Sequence, residues 1–433
     1  MNAFQTVLLV IFGTAAVIGT ILFSGYFDGA ENSTANQVLV WGTLPQQQLD
    51  EYFDAFNKQK LVSELRYEQI PAASFDNELV EALAEDKGPD LIFLTQDLIL
   101  RHQGKIAKVP YDTVSARTFT DTFIEEGELY RAPEGILGFP LLVDPLVMYW
   151  NRDLFTNAEL AQAPKAWEQV LGIASLLTKK DERGNVTQSA VALGGFANIR
   201  YAKEVLTSLF LQAEQPLVVR EGERGRPVVA LGSSNRGVLS GGEAALQFFA
   251  QFSNPVKNDI YTWNSALRLD TELFKASRLA LYFAPFSELH VLREENPHLN
   301  FDIAQLPQRE NGTRRATFGT MYAVAPLKSA RNVTAATQAA LALAQAEQVS
   351  GLSTLIGLPP ARRDLLAQGT SDASKVVAYR SAIIASGWLD PSPRETSDLF
   401  RKAIDTVVSG VAQEGDAISQ LAAQLGDLLP RNQ

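Results

Sequence analysis

Between residues 38 and 94, short apolar runs alternate with longer amphipathic stretches, and no other feature restricts the fold of this chain as strongly. VLVW at 38–41 reads as a strand, and LPQQQLDEYFDAFNKQ at 44–59 then sets Leu49, Tyr52, Phe53 and Phe56 at helical spacing. Residues 65–70 form a second strand. FDNELVEALAE at 75–85 is a second helix, stopped by Gly88-Pro89, and DLIFL at 90–94 is a third strand. Strands separated by helices predict a parallel α/β sheet covered on both faces. Ligands of such sheets sit beyond the carboxyl ends of the strands. Here those ends are Trp41-Gly42-Thr43 and Thr95-Gln96-Asp97.

A second block follows Gly138-Phe139-Pro140. LLVDPLVMYWN at 141–151 is an extended apolar run, 167–177 reads as a packed helix, and 191–193 as a strand leading to Gly194-Gly195-Phe196. Residues 200–213 are helical, and the Gly-, Arg- and Ser-rich stretch 221–242 is a hairpin and loop. Strands are expected at 279–283, 301–306 and 320–325. A long alanine-rich helix follows the last of these, and the chain beyond residue 373 is mostly helical. At 433 residues it exceeds one typical core, so two lobes are expected.

Charge and residue usage remove several functional classes. A formal net charge of -11 disfavours nucleic acid as a partner. With no cysteine, disulfides, thiolate metal sites, a cysteine nucleophile and a lipid-modified N-terminal cysteine are all absent. The three histidines are His102, His290 and His298. The latter two lie too far apart for a helical zinc motif, and no metal or other cofactor is expected. Gly194-Gly195 and LSGGE at 239–243 lack the lysine of a phosphate loop and the nucleophile elbow of a hydrolase. No catalytic constellation stands out, so the chain is not expected to be an enzyme.

The N-terminal segment speaks of a membrane. Asp28 is the first charged residue, and VLLVIFGTAAVIGTILF at 7–23 is nearly all apolar. With its flanks it reaches the ~20 residues a spanning helix needs. An uncleaved single-pass anchor over 1–27 is favoured above a cleaved signal, because basic residues and a good cleavage site are missing. Residues 28–36 (DGAENSTAN) read as a tether.

Four phrases in order carry a resemblance: FDNELVEALAEDKGPDLIFL at 75–94, GFPLLVDPLVMYWNRDLF at 138–155, FKASRLALYFAPFSELHVLREENPHLNFDIAQLP at 274–307, and residues 388–429. The chain resembles the family-1 extracellular solute-binding proteins, which include maltose- and other sugar-binding receptors. It departs from many of them in having Ala276-Ser277-Arg278 where a Gly-Lys pair is common.

The resemblance implies a two-lobed periplasmic-binding-protein-like fold of type II. Lobe one would hold 37–139 and 317–358, and lobe two 145–305 and 365–433. Hinge crossings would lie at 140–145, 306–316 and 357–363. The implied protein is a monomer on the extracytoplasmic side of the cell membrane, delivering a small solute, a sugar or oligosaccharide, to an ABC importer permease. Service to a membrane sensor, or a membrane-anchored glycoside hydrolase, are the alternatives. Positions matching the family's cleft loops are Trp41, Thr43, Gln96, Asp97, Asp144, Tyr149, Phe196, Trp263, Asn264, Phe283, Phe286, Phe318 and Trp388. Aromatic faces and polar edges together suit sugar rings. Trp263 and Trp388 are expected to face the cleft.

Overall fold

The computed structural model describes residues 37–222, 225–232 and 240–430. The apolar segment 1–27 and the tether 28–36 lie outside these residues, as does part of the stretch 221–242. Among the described residues, no helix is long and apolar enough to cross a membrane.

β1 (Gln37–Gly42), β2 (Glu64–Gln69) and β3 (Leu91–Thr95) form as the pattern predicts, with β1 central and parallel to both neighbours. The helix Gln46–Lys58 buries Leu49, Tyr52, Phe53 and Phe56, and the helix Phe75–Ala84 buries Phe75 and Leu79. A small ribbon, β4 (Arg131–Ala132) with β5 (Gly135–Ile136), precedes β6 (Phe139–Asn151). All of β6 except Trp150 is buried. It shows no alternation in sequence because both of its faces are covered.

The partners of β6 change halfway along it. Residues 139–145 pair antiparallel with β13 (Thr317–Pro326), whereas 146–151 lie between β11 (Leu279–Pro285) and β12 (Phe301–Gln305). β11 continues to β8 (Val186–Val191) and β7 (Lys179–Lys180), and β13 joins β3 on its far side. The result is a ten-stranded sheet of order β2-β1-β3-β13-β6-β11-β8-β7, with β12 attached to β6 and β14 (Ala385–Ser386) to β13. A separate hairpin pairs β9 (Val218–Glu221) with β10 (Arg226–Val229). The helices Ala202–Gln212, Gly241–Ala250, Pro393–Val408 and Glu414–Leu428 pack together on the second half.

The sheet is therefore mixed, parallel at β2-β1-β3, at β8-β11 and at the short β13-β14 pair, and antiparallel elsewhere. The reason is the route of the chain. β6 carries it from the first half into the second and β13 carries it back, so the two must run antiparallel.

The crossings also differ from the expected segments. The loop 306–316 stays with the second half, because Gln212 Nε2 donates to Pro307 O at 3.1 Å and to Ala316 O at 2.8 Å. The passage back is the first part of β13. Residues 359–361 lie against β6, with Val143 N donating to Pro359 O at 3.0 Å and Ala361 N to Leu141 O at 2.9 Å. Three backbone segments thus run side by side beneath the junction of two α/β lobes.

Candidate functional site: a cleft between two walls

β13 supplies the floor of the cleft. Phe318, Thr320 and Tyr322 are half-buried, while Thr317, Gly319, Met321 and Ala323 are buried, the period-2 pattern of a strand with one open face. The carboxyl ends of β1 and β3 bring Thr43, Thr95 and Asp97 to one side of that floor. The opposite side comes from the second half: Lys203 and Glu204 in the first turn of the helix Ala202–Gln212, and Trp388, Asp390 and Pro393 ahead of the helix Pro393–Val408.

Three adjoining cavities follow the floor. The mouth, about 750 Å³, lies between Thr43, Tyr322, Asp144, Phe286 and Ser287. The middle, about 570 Å³, shares Thr43 and Tyr322 with the mouth. An inner cavity of about 170 Å³ shares Asp97 and Thr320 with the middle and ends against Trp388 and Phe318.

A buried ion pair fixes the inner wall. Lys203 Nζ donates to Asp390 Oδ2 at 2.6 Å and to Thr396 Oγ1 at 2.7 Å, and it lies 5.6 Å from the centre of the Trp388 ring. Asp390 Oδ1 accepts from Ser392 N at 3.0 Å, which holds the loop that presents Trp388. Charge-assisted bonds out of water orient both groups.

The carboxylates along the cleft have unequal surroundings. Asp144 accepts from Ser287 N at 3.1 Å, and burial pushes its carboxyl up to about 6. Asp97 is raised by burial first of all, opposed by the Thr95 hydroxyl, and its Oδ1 is shut off from solvent with no hydrogen-bond partner. Glu126 lies behind the floor, where a Cβ on Gly319 would fall 2.7 Å from its Oε2 and one on Gly387 2.6 Å from its Oε1. Neither oxygen has a partner, and burial holds this carboxyl well above the usual range. Only glycine at both positions leaves it room.

Of the residues expected at the site, Thr43, Gln96, Asp97, Asp144, Phe286, Phe318 and Trp388 line these cavities. Gln96 is also a brace: its side chain donates to Gly319 O and accepts from Met321 N, both at 2.8 Å. The others lie elsewhere. Trp41 is buried at its strand end, donating from Nε1 to Glu68 Oε2 at 3.1 Å. Tyr149 is fully buried and donates to Pro285 O at 2.8 Å. Trp263 was expected to face the cleft, yet it is 0 % exposed and bonds Asn198 Oδ1 at 2.9 Å, so it is a core residue. Asn264 caps its own turn by accepting from Ala266 N, Phe196 is half-buried outside these cavities, and Phe283 packs on Trp167.

Thr320, Tyr322, Lys203, Glu204 and Asp390 were not expected. The first two could have been found by counting in twos from Phe318. The others meet only through packing of segments nearly two hundred positions apart.

A further cavity of about 370 Å³ lies away from the cleft, beside Trp150, Lys165, Arg315 and Arg380, and its three basic residues are exposed. Among the described residues, no group of three or more His, Asp or Glu is placed to hold a metal ion.

By sequence, no curated protein matches significantly. Solved structures do match in fold. A cyclo/maltodextrin-binding protein complexed with maltotetraose aligns with TM-score 0.71 at 14% identity, covering 90% of this chain and 96% of its own. The sugar-binding protein MalE from Xanthomonas citri aligns with TM-score 0.71 at 18% identity, covering 91% and 97%. The GacH receptor of Streptomyces glaucescens, known unliganded and with acarbose, aligns with TM-score 0.67 at 14% identity, covering 91% and 98%. The family model described as bacterial extracellular solute-binding protein matches residues 51–378, most of the chain. On the strength of that match, this chain belongs to the bacterial extracellular solute-binding proteins.

Proposed function

We propose that the protein is an extracytoplasmic receptor that takes a sugar or oligosaccharide into the cleft between its lobes and delivers it, unaltered, to an ABC importer. One observation carries this reading: Thr43, Asp97, Thr320 and Tyr322 face Trp388, Lys203 and Glu204 across one continuous groove. Aromatic rings offer faces to the C–H side of a pyranose, and the carboxylates accept from its hydroxyls. Both walls rest on the strands that cross between the lobes, so rotation about β6 and β13 changes the width of the groove directly. The structural relatives named above, which bind maltotetraose and acarbose, support the choice of solute.

Thr43, Gln96, Asp97, Asp144, Phe286, Phe318 and Trp388 are the contacts of choice, with Tyr322 added. Trp41, Tyr149, Phe196, Trp263 and Asn264 act behind or beside the groove. We place lobe one at 37–139 with 320–358 and lobe two at 146–316 with 373–430. The segment 1–27 serves as a single-pass anchor that keeps a monomeric receptor beside its permease.

A thermal-shift screen of the full chain against neutral and amine-bearing saccharides tests the receptor reading. A ligand held only by the folded state, at a hundredfold excess over its Kd, stabilises by about 2.7 kcal/mol. A saccharide that raises Tm in this way supports the reading, and a full panel without one removes it. Retention of the protein in carbonate-washed membranes tests the anchor.

A further inference from the structure

The inner end of the cleft holds more buried acid than its own base neutralises. Lys203 Nζ donates to Asp390 Oδ2, Thr396 Oγ1 and Pro393 O at 2.6, 2.7 and 3.3 Å, the full complement of an ammonium group. That pair is closed. Asp97 and Glu204 line the same cavity, and Lys203 is the one basic residue among those that line it. The arginines of the adjoining cavity do not serve. Arg101 is engaged with Asp76, and Arg394 is exposed to solvent.

Two further observations point from this surplus to a ligand. Asp97 Oδ1 is enclosed without a hydrogen-bond donor, an expensive condition for a carboxylate unless something arrives to bond it. The cavity that Asp97 lines is also walled by Trp388 and Phe318. Rings of this kind attract cations when water is excluded. Burial is the leading reason that both carboxyls stand above their ordinary range, and the charge of Asp390 adds to it in each case.

We propose that the solute carries a protonated amine, as an amino sugar or an amine-bearing oligosaccharide does, and that its ammonium group seats on the Asp97 and Glu204 carboxylates against Trp388. A neutral hydroxyl can bond Asp97 but leaves two negative charges in a space that closure dries. An ammonium group supplies three donors and a charge together. The inference rests on the saccharide-receptor reading and narrows its substrate class.

The test is titration calorimetry on the full chain at pH 7, in a detergent without a sugar headgroup. The probes are the β-1,4 disaccharide of glucosamine and its di-N-acetyl form, which differ in amine charge. The amine form is expected to bind at least about 10-fold more tightly, in keeping with charge-assisted bonds out of water. Asp97→Asn and Glu204→Gln, each checked for cooperative melting, should each reduce that preference to within about 2-fold. Asp97→Asn should also raise the Tm of the free protein, because it removes an uncompensated charge.

Equal or tighter binding of the acetylated sugar, or of neutral oligosaccharides alone, overturns the amine proposal and leaves the receptor reading standing. A preference that survives both substitutions overturns the assignment to these carboxylates. Binding of neither amine-bearing nor neutral saccharides overturns both readings.

Discussion

The two ends of the cleft hold the same residue types in different states. At the mouth, the buried Asp144 accepts a backbone bond from Ser287, while on the exposed side of the helix Glu288–Glu295 His290 pairs with Glu294 and Arg293 reaches Ser374. At the inner end, Lys203 and Asp390 are locked together under Trp388, and Asp97 beside them keeps an empty acceptor. Glu126 makes a third case, buried and unpartnered behind the glycines Gly319 and Gly387. The difference teaches how to read buried acids. Asp144 has its acceptor used by the fold, burial raises the Glu126 carboxyl well above the usual range, and Asp97 joins an unpartnered oxygen to a place in the lining of the cleft.

Substitutions can break this contrast, and the largest effect is expected at the ion pair. Lys203→Met leaves Asp390 buried and uncompensated, so stability to urea should fall by about 3–5 kcal/mol. Arg293→Ala at the mouth should change it by no more than about 0.5 kcal/mol. Equal effects at the two positions would erase the distinction between a structural inner end and a solvated mouth.

Next in size is the aromatic wall. Trp388→Ala should weaken saccharide binding by about 2 kcal/mol, roughly 30-fold, in a fluorescence titration. Because Trp388 also packs on Phe400 with centroids 6.2 Å apart, the variant loses stability as well. Trp388→Phe, which keeps a ring there, should recover much of both losses. Trp263→Ala, by contrast, empties a core site and should lower stability by about 3–5 kcal/mol. The affinity of its folded fraction should stay as it was.

The smallest effect sharpens the account of Asp144. Its folded-state carboxyl, at about 6, holds its proton more tightly than in the unfolded chain, where 3.8 is the ordinary value. Native stability is therefore fully present below about pH 4 and declines as pH rises through 6. Asp144→Asn keeps the acceptor for Ser287 N and should be roughly 1–2 kcal/mol more stable at pH 8, with the gain gone at pH 4. Thermal melts across that range would show a pH-independent difference if the carboxylate were well solvated.

Much of the first lobe was legible because its elements obey a single rule each. β1 and β3 are largely apolar, β2 alternates buried Leu65 and Tyr67 with polar residues, and the residues buried on the helix Gln46–Lys58 are those its spacing names. In β6 the extended run at 141–151 and the crossing expected at 140–145 were legible separately, but not as one strand. Thirteen nearly continuous buried residues contain no periodicity to say which half sits on which neighbour. The two tryptophans show the limit most plainly. Trp263 and Trp388 follow similar polar or Gly-rich segments, yet Asn198 claims the indole N–H of one, while the ring of the other closes a cavity. Sequence spacing carries no information about either partner.

Backbone hydrogen exchange on the full chain, with and without a saturating saccharide, tests the central claim most directly. Residues 93–98 and 318–322 on one wall and 202–208 and 386–397 on the other should be protected together. The separate cavity at 161–165 and 302–308 should not change. Protection confined to one wall, or centred on that separate cavity, would contradict a solute held between the two lobes.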